Sequence, residues 1–197
     1  MASSRDEAAP AVATLLGALS AVVHWLNEAK VDFAVIGGLA ASLHGKPRVT
    51  KDVDLVAIAD NDSWGDLLAA ATTWGLKPRI ESPLEFAATT RVLLLVHEPS
   101  QVEVNLSFGM LPFEQELVAR AEQRNVKNVR FPLASAEDII VMKALALRPR
   151  DIADIEGIVA STPDLDLDRV GRVVTQLSAA LETVDHRAEL EKILRSV

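Results

Sequence analysis

Three observations predict an α+β chain, a sheet with helices around it. The stretch Phe33 to Val56, FAVIGGLAASLHGKPRVTKDVDLV, reads as strand, Gly-Gly turn, short helix, loop and second strand. Two apolar runs, Arg91 to His97 and Gln101 to Phe108, flank the turn Glu98-Pro99-Ser100 and read as a hairpin. Apolar residues recur at helical spacing near both ends: Val12, Leu15, Leu19, Val22 and Leu26, then Leu167, Val170, Val174 and Leu177.

The first of these stretches carries the chemistry. Phe33 to Ile36 is apolar and β-rich, and Gly37-Gly38 ends it abruptly. Leu39 to Leu43 favours a helix, stopped by Gly45 and Pro47. From Val49 to Ile58 the pattern alternates, so Val53 and Leu55 point one way, and Asp52 and Asp54 the other. Residues two apart on a strand are about 6.6 Å apart on one face. Two carboxylates so placed can share a Mg²⁺ or Mn²⁺, or flank a pair of metals. Glycines lack a Cβ, so a phosphate can approach their backbone, and the helix behind them offers N–H groups to an anion. Phosphoryl or nucleotidyl transfer needs that combination. The plain alternative is a solvated edge strand with two surface aspartates.

Gly37-Gly38 followed by Asp52-Val53-Asp54-Leu55 resembles the signature of the nucleotidyltransferase fold, the polymerase-β-like superfamily. The intervening Arg48-Val49-Thr50-Lys51 fits the Arg-x-Thr-x-Asp-x-Asp form of its smaller bacterial members, among them the AbiEii-like toxins of type IV toxin–antitoxin systems. The resemblance covers roughly residues 30–160. It implies a small mixed sheet flanked by helices, with Asp52 and Asp54 as catalytic metal ligands. Gly37, Gly38, Arg48 and Thr50 would then lie at a nucleoside triphosphate.

In such folds a third carboxylate usually stands on a strand beside the Asp-x-Asp strand. Here that strand reads Val102-Glu103-Val104-Asn105-Leu106-Ser107-Phe108, and Asn105 stands where the resemblance implies an acid. The following Gly109-Met110-Leu111-Pro112-Phe113-Glu114 matches the relatives. Glu103 shares the face of Asn105 and becomes the candidate third ligand; its plain alternative is a solvated glutamate. A second point of resemblance is Lys143…Arg148-x-Arg150-Asp151-x-x-Asp154. It implies that Lys143 meets nucleotide phosphates and that Asp151 acts in catalysis. Against this stand a snorkelling Lys143, an N-capping Asp151, and Asp154 paired with Arg148 or Arg150.

Composition sets outer bounds. The chain has 197 residues, 49% of them hydrophobic, no cysteine and a net charge of −8. These figures predict a proper core, no disulfide or thiolate site, and no broad nucleic-acid-binding surface, though a tRNA end fits. No apolar run spans a membrane and no basic segment opens a secretory signal, so a cytoplasmic protein is expected. The expected organisation is a disordered tail at 1–9, a nucleotidyltransferase-like domain at 10–160 and a helical extension at 161–197. Within it, helices are expected over Pro10 to Lys30, Trp64 to Trp74 (capped by Asp60 to Ser63), Pro112 to Gln123, Ile139 to Leu147 and Asp151 to Ala160. Strands are expected over Leu76 to Ile80 and Val126 to Phe131, with a loop or single turn at Glu81 to Ala88.

The expected function is Mg-dependent transfer of a nucleoside monophosphate from a nucleoside triphosphate to an acceptor hydroxyl. The acceptor would be a protein side chain, a tRNA end or a small molecule, and the toxin-like resemblance favours a macromolecule. A second reading is a catalytically degenerate binding module or toxin–antitoxin regulatory protein, with a homodimer or antitoxin as partner. A third is transfer to a small cationic molecule, with Glu81, Glu85 and Glu98 near it.

Overall fold

The computed structural model describes residues 4–196, with side chains from Val12. Met1 to Ser3 of the expected tail lie outside the described residues. The rest of that tail is helical: α1 spans Ser4–Glu28, starting before Pro10.

Among the described residues the order is α1, β1 (Asp32–Ile36), α2 (Gly37–His44), β2 (Asp52–Ile58), α3 (Trp64–Ala71), β3 (Leu76–Pro78) and α4 (Pro83–Thr90). There follow β4 (Val92–His97), β5 (Val102–Phe108), α5 (Pro112–Ala119), β6 (Glu122–Val126) and β7 (Val129–Leu133). The chain ends in α6 (Ala136–Ala146), α7 (Pro149–Ser161), α8 (Leu167–Ala180) and α9 (Arg187–Ser196).

It divides into two compact units. The first comprises Met1–Leu39 and Val49–Leu133, the second Ala40–Arg48 and Ala134–Val197. Helices α6 to α9 all fall in the second unit.

The first unit is built on a seven-stranded mixed sheet ordered β3-β4-β5-β2-β1-β7-β6. Strand β2 sits near its middle, antiparallel to β1 and parallel to β5. Alternation buries Val53 and Leu55 of β2, Val104, Leu106 and Phe108 of β5, and Leu93 and Leu95 of β4. Trp64 of α3 stacks on Phe108 with ring centroids 4.1 Å apart. Helix α1 packs against the sheet and α3, and fully buried Trp25 donates its indole N–H to the Leu67 carbonyl at 2.9 Å.

Three local expectations are corrected. Residues 83–90 form α4 instead of a loop, with Pro83 in the first turn and Arg91 left-handed at its end. Helix α5 stops at Ala119, and Glu122–Val126 pairs with Val129–Leu133 as a hairpin. Strand β6 is exposed along most of its length, so it carries no alternation to betray it. Ser63 does not cap α3; its hydroxyl donates to the Asp60 carbonyl at 2.7 Å within a 3₁₀ turn.

In the second unit, α6 packs on α7 and α8, and α9 on α7 and α8. Ser135 caps α6 as expected, accepting the Asp138 N–H at 3.2 Å. The Arg169 guanidinium donates to fully buried Asp138 at 3.0 Å, joining α8 to α6.

Candidate active site

The site begins where β1 ends. The β1–β2 register places Ile36 opposite Asp54, and the next residue, Gly37, turns the chain into α2 at φ +68°. A Cβ built on Gly37 would lie 2.7 Å from both Cβ and Cγ of Asp54. Left-handed backbone and lack of room each require glycine there. The Gly-Gly turn therefore lies directly against the Asp54 carboxylate.

Parallel pairing with β5 sets Asp52 opposite Glu103 and Asp54 opposite Asn105, so the four side chains share one face. Asp52 and Asp54 are both half-buried. The Asp52 carboxylate has no hydrogen bond or ion pair among the described residues. Just before it, the buried Thr50 hydroxyl donates to the Asp52 carbonyl at 3.1 Å, bracing the entry to β2.

Sequence reading missed Arg79. This residue follows β3, and its guanidinium donates to Glu103 Oε2 at 2.8 Å and to Asn105 Oδ1 at 2.5 Å. Asn105 Nδ2 in turn donates to Asp54 Oδ1 at 2.9 Å. A guanidinium has no acceptor, so Arg79 must face the amide oxygen of Asn105 and leave its NH₂ for Asp54. Glu103, expected as a third metal ligand, is instead held in an ion pair with Arg79. The clue lies in register: Lys77 pairs with Val96, which pairs with Glu103, and Arg79 follows two residues on from Lys77. That register exists only once the sheet is assembled.

The donor set can be tested against a metal. No group of three or more His, Cys, Asp or Glu gathers to hold one among the described residues. Two strand-borne carboxylates fit a single hard cation that keeps much of its water, and the set does not fit a three-carboxylate cluster.

Within the second unit a separate cluster gathers the basic and acidic residues of the other motif. Asp154 accepts from Arg48 in a fork, 2.7 Å to Nε and 2.8 Å to Nη2. Lys143 Nζ lies 2.7 Å from Asp154 and 3.2 Å from Asp151. Asp154 thus pairs with Arg48 and Lys143, correcting its expected pairing with Arg148 or Arg150. Lys143 is buried, not snorkelling. The second oxygen of Asp151 accepts the Arg148 N–H at 3.2 Å, capping α7. Burial raises the Asp154 pKa, but hydrogen bonds and charge from Arg48 and Lys143 outweigh it and hold the carboxyl below its ordinary value.

A cavity of about 990 Å³ also opens in the first unit, lined by residues that include Ser20, His24, Asp32, Ile58 and Arg130. It lies at the other end of the β1–β2 ladder from Gly37 and Asp54, where Asp32 pairs with Ile58.

A glycine turn closed against a strand carboxylate, on a mixed sheet with helices around it, defines a nucleotidyltransferase fold. Residues 15–193 match the family described as Nucleotidyl transferase of unknown function (DUF2204), and the chain belongs to that family. Solved structures show the same fold. An antigenic nucleotidyltransferase-like protein from Paracoccidioides brasiliensis has a TM-score of 0.53 at 21% identity, over 91% of this chain and 92% of that one. The antibiotic-resistance factor ANT(2'')-Ia gives 0.54 at 18%, over 83% and 92%. The lincomycin-bound lincosamide antibiotic adenylyltransferase LnuA gives 0.53 at 17%, over 72% and 94%. No curated protein matches the sequence.

Proposed function

We propose that this chain transfers a nucleoside monophosphate from a nucleoside triphosphate to an acceptor hydroxyl. The observation that carries the reading is Gly37 held against Asp54, which sets the glycine turn beside a carboxylate pair. The N–H groups of Gly37, Gly38 and the first turn of α2 would take phosphate oxygens. Asp52 and Asp54 would hold Mg²⁺ or Mn²⁺, which when bound offsets the charge of the phosphates. Asn105 holds Asp54 in place through its Nδ2. Thr50 fixes the backbone at Asp52. Arg48, Lys143 and Asp151 already have partners in their own cluster, which supports a structural part for them. Nucleoside triphosphates are cytoplasmic substrates, and a cytoplasmic location belongs to the same proposal.

One observation favours a second reading. Asn105 stands where the resemblance implies an acid, and Glu103 is paired with Arg79, which suits a degenerate fold that binds nucleotide without turning it over.

The test is transfer of α-³²P label from each of the four ribonucleoside triphosphates, with Mg²⁺, in cell lysate. We expect label on an acceptor with the wild type and none with the Asp52→Asn/Asp54→Asn double variant. Label on protein or RNA supports the AbiEii-like, toxin-type role, with an antitoxin as partner. Label on small cationic molecules supports a role like that named for the antibiotic adenylyltransferases. Nucleotide binding without labelling selects the degenerate reading, and labelling by the double variant refutes the assignment of both aspartates.

A further inference from the structure

Resting on that reading of Asp52 and Asp54, we propose that Arg79 is a built-in cation that takes the place of a second metal ion. The oxygens available beside Asp54 on the β5 side are those of Asn105 and Glu103. Both are turned to Arg79, Asn105 Oδ1 at 2.5 Å and Glu103 Oε2 at 2.8 Å. A divalent ion on that side would compete with Arg79 for these side chains and would meet the guanidinium's charge. Meanwhile Asn105 presents N–H donors, not lone pairs, to Asp54. A metal cannot ligate through that amide nitrogen. What remains for a cation is the half-buried Asp52 carboxylate.

Asn105 and Arg79 therefore belong together. With an acid at 105, four carboxylates would crowd one face and call for added positive charge. With asparagine there, one guanidinium balances Glu103, orients Asn105 and through it orients Asp54. Arg79 is thus a positioning residue that also supplies a fixed charge. The arrangement predicts one ion per chain where two-metal enzymes of phosphate chemistry bind a pair about 3.5–4 Å apart.

The probe is Mn²⁺ alone, counted by electron paramagnetic resonance on the full chain. We expect one bound Mn²⁺ per wild-type chain, none in Asp52→Asn/Asp54→Asn, and two in the Arg79→Ala/Asn105→Asp double variant, which clears the guanidinium and restores the acid. Two ions in the wild type, or one in a double variant that retains its circular dichroism, overturn the proposal while leaving the Asp52–Asp54 metal pair standing. No bound ion in the wild type removes the metal pair itself. The wild-type count decides the matter even if the double variant does not fold. A coupled signal between paired Mn²⁺ ions in that variant alone would mark the seat that Arg79 fills.

Discussion

The carboxylate of Asp54 fills the space that a side chain at Gly37 would need. Gly37→Ala forces either the turn or the carboxylate to move, and also places alanine at φ +68°. We expect a loss of about 1–3 kcal/mol in stability from the backbone strain. Nucleotidyl transfer should fall on the order of 10²-fold, since a displacement near 1 Å at reacting groups costs that much. Gly17→Ala is the control: it meets nothing within 4 Å inside α1 and should gain about 1 kcal/mol. Urea unfolding followed by tryptophan fluorescence separates the two, because Trp25, Trp64 and Trp74 all lie in the sheet unit. Equal effects of the two substitutions would refute the argument.

Asp52 gives a cleaner test of function than Asp54, because it has no partner to lose among the described residues. In chelator, Asp52→Asn should leave stability within about 0.5 kcal/mol of wild type, or raise it slightly by relieving repulsion from Asp54. Added Mg²⁺ should raise the melting temperature of the wild type by mass action and leave the variant unmoved. Transfer should be lost. A variant that still gains stability from Mg²⁺ would show that the ion binds elsewhere.

What the sequence could tell about this site follows from how local each signal is. The placement of Gly37 at a turn and of Asp52 and Asp54 along one strand was legible because strand alternation and a glycine turn are properties of neighbouring residues. Arg79 was not, because its partners Glu103 and Asn105 come from another strand whose register only the sheet sets. Arg48 and Asp154 meet across more than a hundred positions of chain, so proximity along the sequence pointed wrongly to Arg148 and Arg150. The β6–β7 hairpin was hidden for a different reason. An exposed strand such as Glu122–Val126 buries no alternate face, and its turn contains Lys127 at φ 50° rather than glycine.

Glu114, at the end of the Gly109 to Glu114 segment, is expected to matter for folding and not for chemistry. Its Oε2 accepts the N–H groups of Met110 and Leu111 at 2.8 and 2.9 Å, closing the N-terminus of α5. Glu114→Ala should cost about 1–2 kcal/mol, the range of a lost cap, with Glu114→Gln recovering part of it. Nucleotide affinity measured by calorimetry well below the melting temperature should be unchanged. A selective loss of affinity in the folded variant would place Glu114 in the site instead.

Asp154 should make the helical unit sensitive to acid. Its carboxyl is buried against two cations, Arg48 and Lys143. Asp154→Asn leaves both without their shared counter-charge and should cost about 3–5 kcal/mol near neutral pH. The pH dependence follows from the direction of the shift. Because the folded-state value lies below the ordinary aspartate value of 3.8, the stabilisation is complete above about pH 4. It is lost as pH falls through the lowered value, where the folded carboxylate takes up its proton. The gap between wild type and Asp154→Asn should therefore be level from pH 5 to 7 and narrow in more acid buffer. Far-UV circular dichroism during urea unfolding reads this, since the second unit holds no tryptophan. A gap that widens on acidification, or none at pH 7, would show that the Arg48–Asp154–Lys143 cluster does not hold the unit together.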